Sequence, residues 1–158
     1  MKLNLRNLMA TRAPRSTVLV RFLVGAVFLT EGVLKFLHAS DLGAGRFAKI
    51  GIPSPEVMAP LVGGIEVACA ALVLLGLLTR LAVVPLLVTM IVAVISTKVP
   101  ILLGHGFGPF AAPKALPYGG LWGMLHESRT DVSMVLGSLF LRVAGGGRWS
   151  VDARLSGR

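Results

Sequence analysis

Long apolar runs broken by short polar segments dominate the chain. The first run, Thr17 to Leu37 (TVLVRFLVGAVFLTEGVLKFL), matches a bilayer crossing, which takes roughly 20 mainly apolar residues at about 1.5 Å rise each. A second run spans 58–78. Pro60 lies near its first turn, where a missing N–H does no harm, and Gly63, Gly64, Ala68, Ala70 and Ala71 offer small surfaces for close helix contact. The third run, 81–103, holds Pro85, which either kinks it or sits in its first turn. A very short turn around Thr79 and Arg80 makes the second and third runs an antiparallel hairpin. The fourth run is apolar only from Val132 to Val143, apart from Arg142, so a full crossing at 121–143 must take His126, Glu127, Arg129 and Asp131 into its first turns. Gly and Pro break regular structure in the connecting segments 38–57 and 104–120, and the second, with Pro109, Pro113 and Pro117 among aromatics, has the character of a lid. The pattern predicts an all-α, four-helix transmembrane bundle forming a single membrane domain over 1–158.

Charge placement supplies a direction. Lys2, Arg6, Arg12 and Arg15 precede the first run without an acid among them, Arg80 lies in the second turn, and Arg142, Arg148, Arg154 and Arg158 close the chain against Asp152 alone. By the positive-inside rule these three segments are cytoplasmic, giving both termini inside, loops 38–57 and 104–120 outside, and a bacterial inner membrane as location. The composition agrees: 54% of residues are apolar and mean hydropathy is +0.80. In a soluble protein a net charge of +9 would suggest nucleic acid; here the bases cluster at the ends of spans and none is expected. The basic, then hydrophobic N-terminus lacks a small-x-small cleavage site, so the first helix is expected to be retained. An interfacial helix around Leu3 to Met9 and lipid contact by the basic C-terminal tail are further expectations. The single Cys69 excludes a disulfide framework and thiol relay chemistry within the chain.

Within this frame the intramembrane charges stand out. Glu31 and Lys35 are four apart on one helix face, acid first, as an ion pair prefers. A lone charge at mid-membrane costs about 2.5 to 3.5 kcal/mol, so such groups usually face a bundle interior or a wet cavity. Lys35 either snorkels to the interface with Glu31 as its partner or belongs to a site. Glu66, on a helix otherwise made of small and aliphatic residues, calls for function or a buried partner, with Lys35 the candidate. Counted along the spans, Glu31 lies roughly 21 Å from the inner edge and Glu66 about 12 Å below the outer one. Lys98, His126, Glu127, Arg129 and Asp131 fall in the same outer half, whereas Arg21 alone belongs to the inner side. Plainer readings exist for several of these. Glu127 and Asp131 suit a solvated helix start, and His126 and His105 suit interfacial positions. Trp122 and Tyr118 suit interface anchors. No His or Cys has metal-ligand spacing, so no metal is expected.

Four segments in order then carry a resemblance: RFLVGAVFLTEGVLKF with Arg21, Gly25, Gly32, Lys35 and Phe36; GIP with Gly51 and Pro53; GGIEVACAALVLLGLLTR with Gly64, Glu66, Gly76 and Arg80; and the terminal GGGRWSVDARL. Over nearly its whole length the chain resembles the DoxX-like membrane proteins. The resemblance implies a four-helix membrane bundle and a link to redox systems, whose members include subunits associated with thiosulfate:quinone oxidoreduction and terminal oxidases, a mycobacterial membrane redox complex, and maturation factors of methylamine dehydrogenase. It brings no haem, flavin or metal motif. The leading expectation is an accessory oxidoreductase subunit that binds a quinone in the outer polar cluster. Lys35 donates to a ring carbonyl, Glu31 and Glu66 relay protons, and His126, Glu127, Arg129, Asp131 and Lys98 are further binding candidates. Without an electron carrier of its own the chain needs a redox partner protein, or a second copy of itself, to work. The competing expectations are a non-catalytic scaffold or maturation factor that docks a partner enzyme, and a small transporter.

Overall fold

A computed structural model describes residues 9–11, 13–111 and 119–157, and among these every regular element is helical. In chain order they are α1 (Thr17–Leu37), α2 (Ala44–Ile50), α3 (Pro55–Leu75), α4 (Thr79–Ala93), a π turn (Val94–Lys98), α5 (Val99–Leu103), α6 (Gly120–Glu127), α7 (Arg129–Ala144) and α8 (Val151–Leu155). The interfacial helix expected at Leu3 to Met9 lies outside the described residues except for Met9, as do Tyr118 and most of the expected lid beyond Ala111.

α1 keeps the bounds read from its apolar run. α3 begins and ends three residues earlier than the run 58–78 because its ends are set by backbone geometry rather than hydropathy. Pro55 occupies its first turn. Gly76, at φ 69°, takes the left-handed conformation, so that Leu77 N–H donates to Leu72 O and Gly76 N–H to Val73 O, satisfying carbonyls a helix end otherwise leaves open. The tight turn is therefore Gly76–Leu78, and Thr79 already starts α4. Pro85 lies in the interior of α4. The rod then runs through the π turn into α5, where Val99 N–H reaches back five residues to Val94 O. Pro100 accounts for this widening: it donates no N–H and its ring crowds the carbonyl four residues earlier, at Ser96. The segment 38–57, expected to lack regular structure, contains the short helix α2. The loop after α5 is pinned over α2: Phe107 and Phe110 exchange backbone hydrogen bonds, and Ala111 N–H donates to Ile50 O.

Helices pack in a ring. α1 lies against α3, α3 against α4, α4 against α7, and α7 against α1. Val24, Phe28, Ala70, Val73, Ala82, Val83, Leu86, Met134 and Leu141 fill the centre. In lipid the hydrophobic effect does not drive helices together, so close backbone approach and packing must do so. Gly32 supplies that approach, since a Cβ there would meet Gly63 O at 2.9 Å and Glu66 Cβ at 3.0 Å. Of the small residues in the second run, Gly63 and Ala70 face this contact, whereas Gly64, Ala68 and Ala71 are exposed.

Three rods, Thr17–Leu37, Pro55–Leu75 and Thr79–Leu103, are long and apolar enough to cross a membrane. Only 33%, 28% and 22% of their apolar windows are buried inside the chain, so most of each rod presents apolar side chains outward. Leu19, Phe22, Val84, Val88 and Ile91 are among those exposed, an apolar area that only lipid or protein covers comfortably. This is a membrane protein. The last rod is interrupted: Ser128 separates α6 from α7, and its hydroxyl donates to Met124 O at 2.6 Å.

Candidate functional site

Helical periodicity decides which charges face inward. The buried stripe of α1 runs Thr17, Arg21, Val24, Gly25, Phe28, Gly32. Lys35, one turn further, continues it, so Arg21 and Lys35 both point into the bundle while Glu31 lies to the side. On α3 the stripe Ala59, Gly63, Glu66, Ala70, Val73 carries the carboxylate of Glu66 inward. Because Gly32 lets the two helices touch beside it, Lys35 Nζ reaches Glu66 Oε2 at 2.6 Å, with side chains only 11% and 7% exposed. Glu31 flanks the pair, its carboxylate 4.0 Å from the same ammonium and 55% exposed. Lys35 also donates to Glu31 O at 3.4 Å. The three groups form a short polar line from the α1–α3 interface to the helix surface, amid the exposed apolar residues Val33, Phe36 and Leu37.

A second pair sits at the same end of the bundle. Asp131 heads the inward stripe of α7, one turn before Met134 and two before Ser138, and its Oδ2 is 3.3 Å from Lys98 Nζ. The contact is ionic; its geometry falls off the line of a hydrogen bond. In an uninterrupted helix Lys98 would fall within about 40° of Val84 and Ile91, both exposed. The extra residue in the π turn gives it instead the direction of Leu86 and Val83, both buried, and so turns it toward α7.

The remaining candidates stay outside both pairs. Glu127 is exposed, and Arg129 folds back on the end of α6, donating through Nε to His126 O at 2.7 Å with Nη2 3.3 Å from His126 Nε2. His105 and Trp122 are exposed. The single layer expected from span depth is thus two separate pairs, because depth along a helix axis says nothing of the angle around it. Among the described residues no three His, Cys, Asp or Glu side chains converge as a metal would need.

At the opposite end, where α1 and α4 begin and α3 and α7 finish, lies a polar clamp absent from the expectations. Arg21, 4% exposed, donates to Val73 O at 2.9 Å and Gly146 O at 3.1 Å, and also to Leu74 O and Trp149 O. Its guanidinium thereby ties the last turn of α3 to the glycine-rich tail. Asp152 completes the tie by accepting from Leu78 N–H at 2.7 Å and Thr79 N–H at 3.0 Å, capping α4 and holding Leu78 at φ 48°. Ser150 caps α8 in turn, accepting from Ala153 N–H at 3.1 Å. Thr11 joins the N-terminal segment to the same tail, donating to Ala144 O and accepting from Gly147 N–H.

A family model named DoxX matches residues 16–99, which take in Arg21, Lys35, Glu66 and Lys98. The chain belongs to the DoxX family. It is also 49% identical over 151 residues, 96% of this chain and 88% of the relative, to a protein of Mycobacterium tuberculosis (strain ATCC 25618 / H37Rv) described as "Uncharacterized membrane protein Rv3486". No solved structure matches the chain. The DoxX match ends just past Lys98, so it covers the Lys35–Glu66 pair whole and only the lysine of the Lys98–Asp131 pair.

Proposed function

We propose that this DoxX protein is an accessory subunit of a membrane redox system, in which Lys35, Glu66 and Glu31 bind a quinone and carry its protons. The observation that carries the reading is the buried Lys35–Glu66 contact at 2.6 Å with Glu31 leading from it to the helix surface. A purely structural neutralisation needs only the first two groups. Glu31 adds a carboxylate among exposed apolar side chains, where a lipid-soluble molecule approaches from the bilayer. When bound, a quinone supplies an acceptor for two electrons and two protons. Lys35 Nζ donates a hydrogen bond toward a ring carbonyl, and Glu66 and Glu31 pass the protons inward from the surface. The electrons come from a partner protein.

The proposal includes a membrane arrangement, read from the placement of the basic residues. Four crossings, the last made by α6 and α7 together, put the basic N-terminal segment, Arg80 and the basic tail on the cytoplasmic side of a bacterial inner membrane. Both ion pairs then lie in the outer half. Quinone content and binding in the detergent-purified chain test the site. Wild type is expected to retain quinone stoichiometrically, and Lys35→Met and Glu66→Gln to lose it; Glu31→Gln, at an exposed position, keeps binding and slows proton uptake. A well-folded wild type that neither carries nor binds quinone overturns the proposal and favours a scaffold for a partner enzyme.

A further inference from the structure

The clamp end carries a feature that neither the redox reading nor the fold requires. Pro14, Arg15, Ser16 and Arg148 line an open notch of about 660 Å³ where the start of α1 meets the glycine-rich tail. Two of the four lining residues are arginines, and among the described residues neither forms an ion pair. Asp152 pairs with neither, its two oxygens accepting from Leu78 N–H and Thr79 N–H. Arg15 is held in place over the Trp149 ring, 5.7 Å from its centroid, while Trp149 itself is 61% exposed. Behind the notch, Thr17 lies wedged against Gly147, 2% exposed, with its hydroxyl unpartnered among the described residues.

Position selects the ligand. Leu19, Phe22 and Leu23, the first exposed apolar residues of α1, begin within one turn of Ser16, and Val143 is exposed just before the tail. A molecule whose phosphate enters the notch therefore has an apolar surface along which hydrocarbon chains run, and an exposed tryptophan beside it at the depth where indoles favour the headgroup region. Two positive planar groups able to pair with phosphate oxygens complete the match. We propose that this notch binds the headgroup phosphate of an anionic phospholipid, and that the bound lipid bridges the N-terminal segment to the C-terminal tail. The inference rests on membrane embedding alone and stands or falls apart from the quinone reading.

Full-length protein in neutral detergent, probed by native mass spectrometry with phosphatidylglycerol and with phosphatidylcholine of identical acyl chains, tests it. Wild type should retain phosphatidylglycerol preferentially. Arg15→Gln with Arg148→Gln should weaken that retention about thirtyfold, and Arg148→Gln alone, which leaves the Arg15–Trp149 contact intact, about fivefold. Arg142→Gln with Arg154→Gln removes the same charge from exposed positions outside the notch and should leave retention unchanged. An equal loss in that control pair, equal retention of the two lipids by wild type, or displacement of the lipid by inorganic phosphate as readily as by free phosphatidylglycerol would each overturn the proposal.

Discussion

Breaking the Lys35–Glu66 pair should hurt unequally depending on which partner goes. Glu66 is 7% exposed and, among the described residues, Lys35 is the one cation paired with its carboxylate; Lys35 has a second acid, Glu31, at 4.0 Å and that residue's carbonyl at 3.4 Å. Removing one member of a buried pair costs about 3 to 5 kcal/mol because the other charge stays buried and uncompensated. Lys35→Met leaves Glu66 in that condition and should cost the full amount. In Glu66→Gln the ammonium turns to Glu31, recovering part of the loss, so the cost should fall to about half. The double variant removes both charges from an apolar interface and should lie within about 1 kcal/mol of wild type. Reversible unfolding of the four proteins in mixed detergent micelles gives the cycle. Additive losses, or equal losses in the two single variants, would refute the account of a buried pair flanked by a reserve acid.

Three further outcomes follow from the packing. Gly32→Ala should destabilise by about 1 to 3 kcal/mol, since its Cβ would meet Gly63 O at 2.9 Å, whereas Gly64→Ala, with nothing within 4 Å, should be neutral or stabilising; thermal unfolding of the pair separates contact from propensity. Asp152→Ala strips Leu78 N–H and Thr79 N–H of their acceptor and should cost about 1 to 2 kcal/mol, with faster hydrogen exchange confined to the α3–α4 turn and the tail. Deleting Ile95 from the π turn should restore an ordinary helix without turning Lys98 away from Asp131, and should be far milder than deleting Val88, which turns everything after it by about 100°; comparable melting losses in the two deletions would sink the argument for the π turn.

Helices long enough for a bilayer were legible because apolar run length depends on composition alone, and α1 matches its run residue for residue. Helix ends were less so. Gly76 and Pro55 are ordinary stop and start residues, yet the apolar stretch continues past the first to Leu78, and hydropathy cannot see a left-handed φ. Glu66 with Lys35 was a natural pairing, since each is on a stripe of small or aliphatic residues that period 3.6 turns inward. The other charged candidates were grouped by depth, and depth does not distinguish Asp131, on the stripe that leads to Met134, from Glu127 and Arg129, off it. Lys98 was beyond such counting altogether. Its direction depends on one extra residue in the helix, and the sole hint was Pro100 two positions on.

The clamp shows a different limit, one of how charge is weighed. Read as a sum, the tail GGGRWSVDARLSGR is basic and its one acid is a minor correction. Read as backbone chemistry, the acid is what matters. A helix that starts in a three-residue turn presents N–H groups with no partner of its own, and Asp152 supplies two acceptor oxygens to them. Arg21 does the converse for carbonyls at the end of α3 and in the tail, using a donor fork that no lysine reproduces. Both charges, buried at 4% and 1% exposure, are thus committed to closing helix ends that the packed tail covers. Ser150 as a cap residue with Asp152 in the first turn after it was the available signal, and it marks α8 as folded structure and not a loose arm. With the clamp fixing one end of α1 and α3, the Gly32 crossing sets how those helices meet along their length. Lys35 and Glu66 are held together near the other end by that crossing, so the pair's geometry is a property of the bundle and not of its own attraction.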